Sequence, residues 1–272
     1  MSRDSAHWSW RSPRAWLVPA LVLLGVLVLL VTDGNQPVFL WLNHLGPATS
    51  DQLWANLTIL GDTTVALALC LPLARRRPDL LWAVIPAGLL ATGWAHLLKP
   101  LVDVARPPAV LSADAIHVIG PAYHYHSLPS GHATTAFALA ALCVLGFNLR
   151  GWSVLPVVAA VLIAVSRSVV GVHWPLDLLV GGFGGWLAAL LGMKLAARVE
   201  FGLRPPVQWG ITLALAGCAV ALLAGYRTDY PQTLWFQRAL GALGLLCFAL
   251  SFVPRGGSDA AGQAAGDDRI RR

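Results

Sequence analysis

The chain has 272 residues, of which 57% are hydrophobic and only 12% are charged. Soluble domains carry about 25% charged residues, so this composition excludes an ordinary soluble domain. The formal net charge of +6 does not by itself indicate nucleic-acid binding, because basic residues in so apolar a chain first report its orientation in a membrane.

Apolar runs near the roughly 20 residues that a membrane helix needs recur along the chain. We therefore predict an all-α, polytopic membrane bundle of about eight transmembrane helices. The predicted spans are Trp16–Val31, Leu53–Ala74, Leu80–Val102, Gly131–Leu149, Trp152–Val170, Leu176–Ala197, Val207–Gly225 and Ala239–Val253. The predicted organisation is a cytoplasmic tail at 1–15, a membrane core at 16–197, an additional C-terminal helix pair at 198–254 and a disordered cytoplasmic tail at 255–272.

The basic residues are distributed unevenly between the two predicted membrane faces. An excess of arginine and lysine marks the cytoplasmic side, and the larger group lies on the side of the two termini. That group comprises Arg3, Arg11, Arg14, Arg75, Arg76, Arg77, Arg150, Lys194, Arg198, Arg204 and the arginines of the C-terminal tail. The opposite, extracytoplasmic face holds only Lys99, Arg106, Arg167, Arg227 and Arg238. The first three of these need a reason other than topology.

The segment from Ser166 to Asp177 carries the most chemistry. Pro175 suits the first turn of a helix, where its missing N–H is no loss, so Asp177 lies one turn along and can reach back to the imidazole of His173. A histidine that a carboxylate holds in one tautomer suits a nucleophile or a base. Arg167 adds a permanently charged fork that suits a phosphate group. The alternative is a purely structural histidine–aspartate pair at a helix start.

Two further segments are predicted to reach the same membrane face. Ser130 and Gly131 stand where a helix begins, and the unpaired backbone N–H groups of a helix N-terminus bind anions. His132 follows them, placed to give a proton to a leaving oxygen. Lys99 and Arg106 would add cations that stabilise a transferring phosphoryl group. Taken singly, these residues are also explained by a helix cap and by membrane anchoring.

Asp62 and the histidines of the outer loop stand apart from these segments. Asp62 lies inside the second apolar run, where an ionisable residue is a functional candidate, unless the span begins later and leaves it at the membrane interface. His117, His124 and His126 are expected to be ordinary loop residues, because two neighbouring histidines with no third ligand make a poor metal site.

The three segments together carry the motifs of a known family. The motifs read Lys99 followed by Arg106-Pro107, then Pro129-Ser130-Gly131-His132, then Ser166-Arg167 followed by His173 and Asp177. In this order and spacing the chain resembles the type 2 phosphatidic acid phosphatase superfamily. The resemblance covers residues from about Leu53 to Ala197 and implies a six-helix phosphatase core. It implies nothing firm about the additional C-terminal helix pair.

The resemblance implies a metal-independent phosphatase without a cofactor. His173 would attack phosphorus and form a phosphohistidine, with Asp177 orienting its ring. His132 would protonate the leaving oxygen and then activate water. The residues that would hold the phosphoryl oxygens are Lys99, Arg106, Ser130, Gly131 and Arg167.

The implied substrate is a lipid phosphate in the bilayer of a bacterial inner membrane, reached from the extracytoplasmic side. No nucleic acid and no obligate protein partner are expected. Undecaprenyl diphosphate is the favoured substrate. Phosphatidic acid, phosphatidylglycerol phosphate, other prenyl diphosphates and lipid A 1-phosphate are alternatives. Two other function classes stay open: a phosphotransferase that passes the phosphoryl group from His173 to another lipid, and a non-catalytic lipid transporter that would survive loss of His173.

The charge asymmetry generates a test of sidedness. A cysteine introduced into the loop Asp114–Ser127 should react with a membrane-impermeant thiol reagent in intact cells. A cysteine in place of Arg76 should react only after the membrane is permeabilised. The native cysteines all lie inside apolar runs, so the unmodified chain serves as the control. The reverse labelling pattern would overturn the topology and move the site to the cytoplasm.

Overall fold

The computed structural model describes residues 12–147 and 149–253. Most of the predicted N-terminal tail and all of the predicted C-terminal tail lie outside the described residues. The α-helices are α1 (Pro13–Val31), α2 (Asn35–Asn43), α3 (Leu45–Ala48), α4 (Asp51–Ile59), α5 (Thr63–Cys70), α6 (Leu73–Arg76), α7 (Pro78–Val102), α8 (Pro107–Val110), α9 (Gly131–Gly146), α10 (Val154–Val169), α11 (Pro175–Arg198), α12 (Pro205–Ala224) and α13 (Leu234–Leu250). Short 3₁₀ turns occupy Ala113–Ala115, Arg150–Ser153, Glu200–Leu203 and Pro231–Thr233. Across the described ranges there are helices and no strand, which confirms the predicted all-α class.

Several of these helices have the length and composition of membrane spans. Five segments of the described chain qualify, namely Pro78–Val110, Gly151–Val169, Pro175–Arg198, Pro205–Ala224 and Pro231–Leu250. The number rises to seven if each of two bent helix pairs is one span, and α9 is apolar but has only 16 residues. The protein is therefore a membrane protein. Every predicted apolar run contains a helix, while the count of eight spans stays a prediction.

The second predicted span is broken in the middle. Its two halves, α4 and α5–α6, meet at 62°, and the chain turns between them at Gly61 and Asp62. The Asp62 carboxylate accepts the backbone N–H groups of Thr64 at 2.8 Å and Val65 at 3.2 Å, at the start of α5. Asp62 therefore caps a helix inside the predicted span, which satisfies two of the orphan donors of that helix end.

Helices α7, α9 and α11 form the centre of the bundle, and glycines of α11 let their backbones approach closely. A Cβ at Gly181 would lie 2.5 Å from the backbone oxygen of Ser130, and one at Gly185 would lie 2.1 Å from that of Thr134. Small residues bring membrane helices together in this way. The starts of α9 and α11 are also joined directly, because the Ser130 N–H donates to the Asp177 carbonyl at 3.0 Å.

The C-terminal pair α12–α13 packs beside α5 and α7. At one end of α12, the Gln208 amide donates to the Pro78 carbonyl at the start of α7, at 3.1 Å. Beyond its other end, the Tyr226 hydroxyl donates to the Asp62 carboxylate at the start of α5, at 2.7 Å. Helix α12 therefore extends from the start of α7 to the start of α5. The loop that follows it, residues 225–233, is called the α12–α13 loop below and contacts the broken second span.

Candidate active site

His173 lies in the turn between α10 and α11, and Asp177 holds it from the first turn of α11. His173 Nδ1 and Asp177 Oδ2 are 3.1 Å apart, and both side chains are buried. The same carboxylate oxygen accepts the backbone N–H of Trp174 at 2.8 Å and the hydroxyl of Ser127 at 2.5 Å. Asp177 therefore joins the start of α11, the outer loop and the imidazole at one point.

Arg106 decides which nitrogen of His173 carries the proton. Its Nη1 lies 3.2 Å from His173 Nε2, and a guanidinium can only donate. Nε2 must accept, so Nδ1 carries the hydrogen and donates to Asp177. Burial lowers the pKa of His173 well below its usual range, and the charges of Arg106 and Arg167 lower it further. The imidazole is therefore neutral near pH 7 with a lone pair on Nε2, as a nucleophile requires.

Arg106 itself is held by backbone carbonyls of the outer loop and the α10–α11 turn. Its Nε donates to the carbonyl of Tyr125 at 2.8 Å. Its Nη1 donates to the carbonyl of Val172 at 3.1 Å, and its Nη2 to that of His126 at 3.4 Å. The turn that presents Val172 depends on Gly171, whose φ of +86° suits glycine best. Because these acceptors are neutral, the buried guanidinium keeps its full charge.

Arg167, near the end of α10, is buried and has a donor that no group within residues 12–147 and 149–253 satisfies. Its Nη1 donates to the hydroxyls of Thr58 at 2.7 Å and Tyr230 at 2.9 Å. Its buried Nε has no hydrogen-bond partner among the described residues. An unpaired buried donor is costly. Arg167 also lines a cavity, where its guanidinium charge suits an anionic ligand.

Of the remaining predicted site residues, three line the cavity and one does not. The three that line it are Lys99 in the last turn of α7, and Gly131 and His132 in the first turn of α9. Ser130 does not line it: its buried hydroxyl accepts the Ala133 N–H at 3.4 Å and caps α9. Its predicted role in phosphate binding stays a prediction.

The cavity has a volume of about 610 Å³ and walls of two kinds. The cationic and imidazole groups that line it are His96, Lys99, Arg106, His132, Arg167 and His173. Its apolar lining comes from α5, α7 and α9 and includes Leu67, Val84, Leu89, Ala91, Leu139 and Leu142. Since a helix rises about 1.5 Å per residue, the lining from Val84 to Lys99 extends over about 22 Å of α7. The cavity can therefore take a charged group together with an apolar chain.

Sequence reasoning missed three polar residues that hold this site together, Thr58, Tyr230 and Asn43. The Asn43 side chain is buried in α2 and donates to the carbonyls of His117 at 2.7 Å and Val169 at 3.0 Å. It thereby ties the outer loop to the end of α10. None of the three belongs to a spacing pattern, and a polar residue in an apolar stretch was the one signal available for them.

Two histidines of the outer loop lie beside carboxylates outside the cavity lining. His117 Nε2 lies 2.9 Å from an Asp51 carboxylate oxygen, and His126 Nδ1 lies 3.2 Å from one of Asp103. Within residues 12–147 and 149–253, no three histidine, cysteine, aspartate or glutamate residues are grouped as metal ligands would be.

Comparison with known families agrees with the predicted motifs. Residues 79–200 match the PAP2 superfamily. That segment contains every predicted site residue from Lys99 to Asp177. This segment of the chain is a PAP2 superfamily domain by that match. Thr58 and the α12–α13 loop lie outside the matched segment.

Two individual proteins and one solved structure are also similar to this chain. The lipid A 4'-phosphatase of Bacteroides thetaiotaomicron is 36% identical over 110 residues, which are 38% of this chain and 49% of that protein. The undecaprenyl-diphosphatase of Sulfolobus acidocaldarius is 28% identical over 185 residues, 64% of this chain and 88% of that protein. The crystal structure of Aquifex aeolicus LpxE matches with a TM-score of 0.54 and 28% identity, over 59% of this chain and 94% of that one. The match thus spans about half the length of the Bacteroides relative. The names of the two curated relatives support a phosphoric ester hydrolase.

Asp177→Asn tests whether Asp177 orients His173, the predicted nucleophile. The amide has one acceptor oxygen and no charge, so it no longer fixes the Nδ1–H tautomer of His173. We expect phosphate release to fall about 10³–10⁴-fold, measured with purified protein and a lipid phosphate. Ser127→Ala is the matched control, because it removes one donor to the same carboxylate and keeps the histidine–aspartate pair. Its loss should stay below about tenfold. Equal losses for the two variants would contradict this role of Asp177.

Proposed function

We propose that this protein is an integral membrane lipid phosphate phosphatase that hydrolyses undecaprenyl diphosphate through a phosphohistidine on His173. One observation carries the proposal. His173, whose Nε2 carries a lone pair, lines one cavity together with the cationic side chains of Lys99, Arg106 and Arg167, and the same cavity has apolar walls along α7. Nucleophile, anion site and space for a lipid chain therefore occur together.

In the first step, the lone pair on His173 Nε2 attacks phosphorus. The bond between phosphorus and the leaving oxygen breaks, and His132, which takes up a proton when the anionic substrate offsets the positive charge of the cavity, gives that oxygen a proton. Asp177 stabilises the imidazole as it gains positive charge, because it already accepts the Nδ1–H. The step leaves a phosphohistidine and a neutral His132.

In the second step, water attacks the phosphohistidine. His132, now neutral, takes a proton from that water as it attacks. The bond between phosphorus and Nε2 breaks, which releases inorganic phosphate and restores the starting state of both histidines.

Side-chain cations carry the electrostatic part of the reaction. Lys99, Arg106 and Arg167 surround the phosphoryl oxygens and offset the charge that these oxygens hold in the transition state. Gly131 adds its backbone N–H at the start of α9. This scheme requires neither a metal ion nor a cofactor.

The substrate follows from the membrane setting and from the relatives. A lipid can place its phosphate among the cations while its chain lies along the apolar lining of α5, α7 and α9. Undecaprenyl diphosphate is supported by the Sulfolobus relative, of which the match covers 88%. Lipid A is the second candidate, supported by the name of the Bacteroides relative. We place the site on the extracytoplasmic face of the bacterial inner membrane, because the arginine distribution favours that side.

A substrate panel tests the reaction and ranks the candidates. Purified protein is incubated in excess chelator with undecaprenyl diphosphate, lipid A, phosphatidic acid and phosphatidylglycerol phosphate, and inorganic phosphate is measured. We expect release without added metal, fastest from undecaprenyl diphosphate. Release only after magnesium is restored would contradict the mechanism. A newly phosphorylated lipid in place of inorganic phosphate would indicate a transferase, and faster release from lipid A would favour the second candidate.

The division of work between the two histidines gives a sharper prediction. His173→Ala should be inactive on every substrate and hold no phosphoryl group. His132→Ala should lose about 10²–10⁴-fold on an alkyl phosphate. It should lose less in forming the phosphoenzyme from a nitrophenyl phosphate, whose leaving group needs no proton.

Rapid quenching at alkaline pH provides the measurement. Hydrolysis of the intermediate should be slow in His132→Ala, so radiolabelled phosphate should accumulate on His173, where the acid-labile bond survives. Label found on Ser130 or Asp177 would overturn the assignment. So would equal losses for both variants in the first chemical step.

A further inference from the structure

The anchoring of Arg167 depends on two hydroxyls that no family motif contains. Thr58 and Tyr230 accept hydrogen bonds from the same nitrogen, Nη1, at 2.7 Å and 2.9 Å. Thr58 is 0% exposed and Tyr230 is 2% exposed. Because Nη1 is fixed by both hydroxyls, the rigid guanidinium plane has a set orientation in the wall of the cavity.

The two hydroxyls come from opposite ends of the chain but form one unit in space. Thr58 belongs to α4, and Tyr230 belongs to the α12–α13 loop. Helix α4 packs against the 3₁₀ turn that follows Tyr230, and the Gln52 amide donates to the Gln232 carbonyl at 3.1 Å. Both segments lie outside the residues 79–200 that match the PAP2 superfamily.

The α12–α13 loop is shaped to present Tyr230. The amide of Gln237, 1% exposed, donates to the carbonyls of Leu222 at 3.1 Å and Tyr226 at 2.6 Å, so α13 fixes the end of α12. The Tyr230 ring fills the space beside Gly120, where a Cβ would lie 2.8 Å from the ring.

A second contact joins the same loop to the rim of the cavity. The Tyr123 hydroxyl donates to Asp229 at 2.6 Å, and both residues line the cavity. Burial and this hydrogen bond raise the pKa of Tyr123 to about 12, so the hydroxyl keeps its proton and the contact persists at neutral pH.

The chemistry of the two acceptors suits a phosphate site. A carboxylate would hold Arg167 as firmly, but it would cancel the charge that a phosphoryl group needs. Hydroxyl oxygens accept the N–H and leave the positive charge in place. Arg167, Arg106 and Lys99 share one cavity and repel each other, so an unanchored Arg167 side chain would turn away from the other two.

We infer that Tyr230 and Thr58 are positioning residues that hold Arg167 for the phosphoryl group, and that the C-terminal helix pair thereby completes the phosphate site. The inference rests on the proposed function, since it assigns residues to the anion site of that reaction. It gives α12 and α13 a role that the PAP2 motifs do not supply.

The experiment measures KM for a lipid phosphate and the affinity for orthovanadate, an analogue of the transferring phosphoryl group, in purified full-length protein. Tyr230→Phe removes only the hydroxyl. We expect KM to rise and orthovanadate affinity to fall about tenfold, the scale of a lost hydrogen bond to a charged group. Thr58→Val removes the other hydroxyl, which belongs to α4, and should have the same effect. Thr212→Val is the matched control: it removes a buried hydroxyl of α12 that donates to Gln208, and it should change neither quantity.

A double-mutant cycle separates positioning from general damage. In an Arg167→Met background, Tyr230→Phe should change orthovanadate affinity by less than about twofold, because its effect passes through Arg167. The same tenfold loss in both backgrounds, or unchanged affinity in both Tyr230→Phe and Thr58→Val, would overturn the inference. Absence of phosphate release by the wild-type protein would instead count against the proposed function, and the orthovanadate measurements would still decide the role of the two hydroxyls.

Discussion

Positive charge concentrated in a buried cavity is the constraint on which this structure depends. Lys99, Arg106 and Arg167 line one cavity, and both loss of hydration and mutual repulsion oppose the arrangement. The structure holds the two arginines with neutral groups: mainly backbone carbonyls for Arg106 and two hydroxyls for Arg167. The charge is therefore held in place without being neutralised, and it remains available to an anion.

The buried carboxylate of the site serves the histidine instead. Asp177 accepts from His173, Trp174 and Ser127 through one oxygen. It thereby fixes the tautomer of the imidazole and the start of α11 together. In the proposed reaction, a negative charge at this place supports an imidazole that becomes positive, whereas the same charge beside Arg167 would weaken binding of the phosphoryl group.

Local patterns were enough to predict the part of the site that lies close together in the sequence. Asp177 reaches His173 because the two are one helical turn apart and Pro175 starts the helix. The placement of Lys99, Arg106 and Arg167 on one face followed from apolar runs and charge distribution. The break at Gly61–Asp62 was not predicted, because hydropathy averages over the two polar or small residues that interrupt a span.

Thr58 and Tyr230 could not be predicted for a different reason. Their contacts with Arg167 span 109 and 63 residues of sequence, and each contributes a single hydroxyl that no periodicity marks. Such contacts depend on how α4 packs against the turn before α13, which is a property of the assembled bundle. Ser130 stands at the start of α9 as expected, and its hydroxyl caps that helix, which is the alternative that the sequence also allowed.

The position of Tyr230 late in the chain has a consequence for biogenesis. Membrane helices are synthesised and inserted from the N-terminus onward, so every PAP2 motif residue is already in the bilayer when α11 has been inserted. At that stage Arg167 still lacks one of its two acceptors. On the inference that Tyr230 positions Arg167, the anion site is complete only after α12 and α13 have followed. A chain that stalls after α11 would then carry all the motifs without a fully formed phosphate site, so phosphate binding depends on a helix pair outside the matched segment.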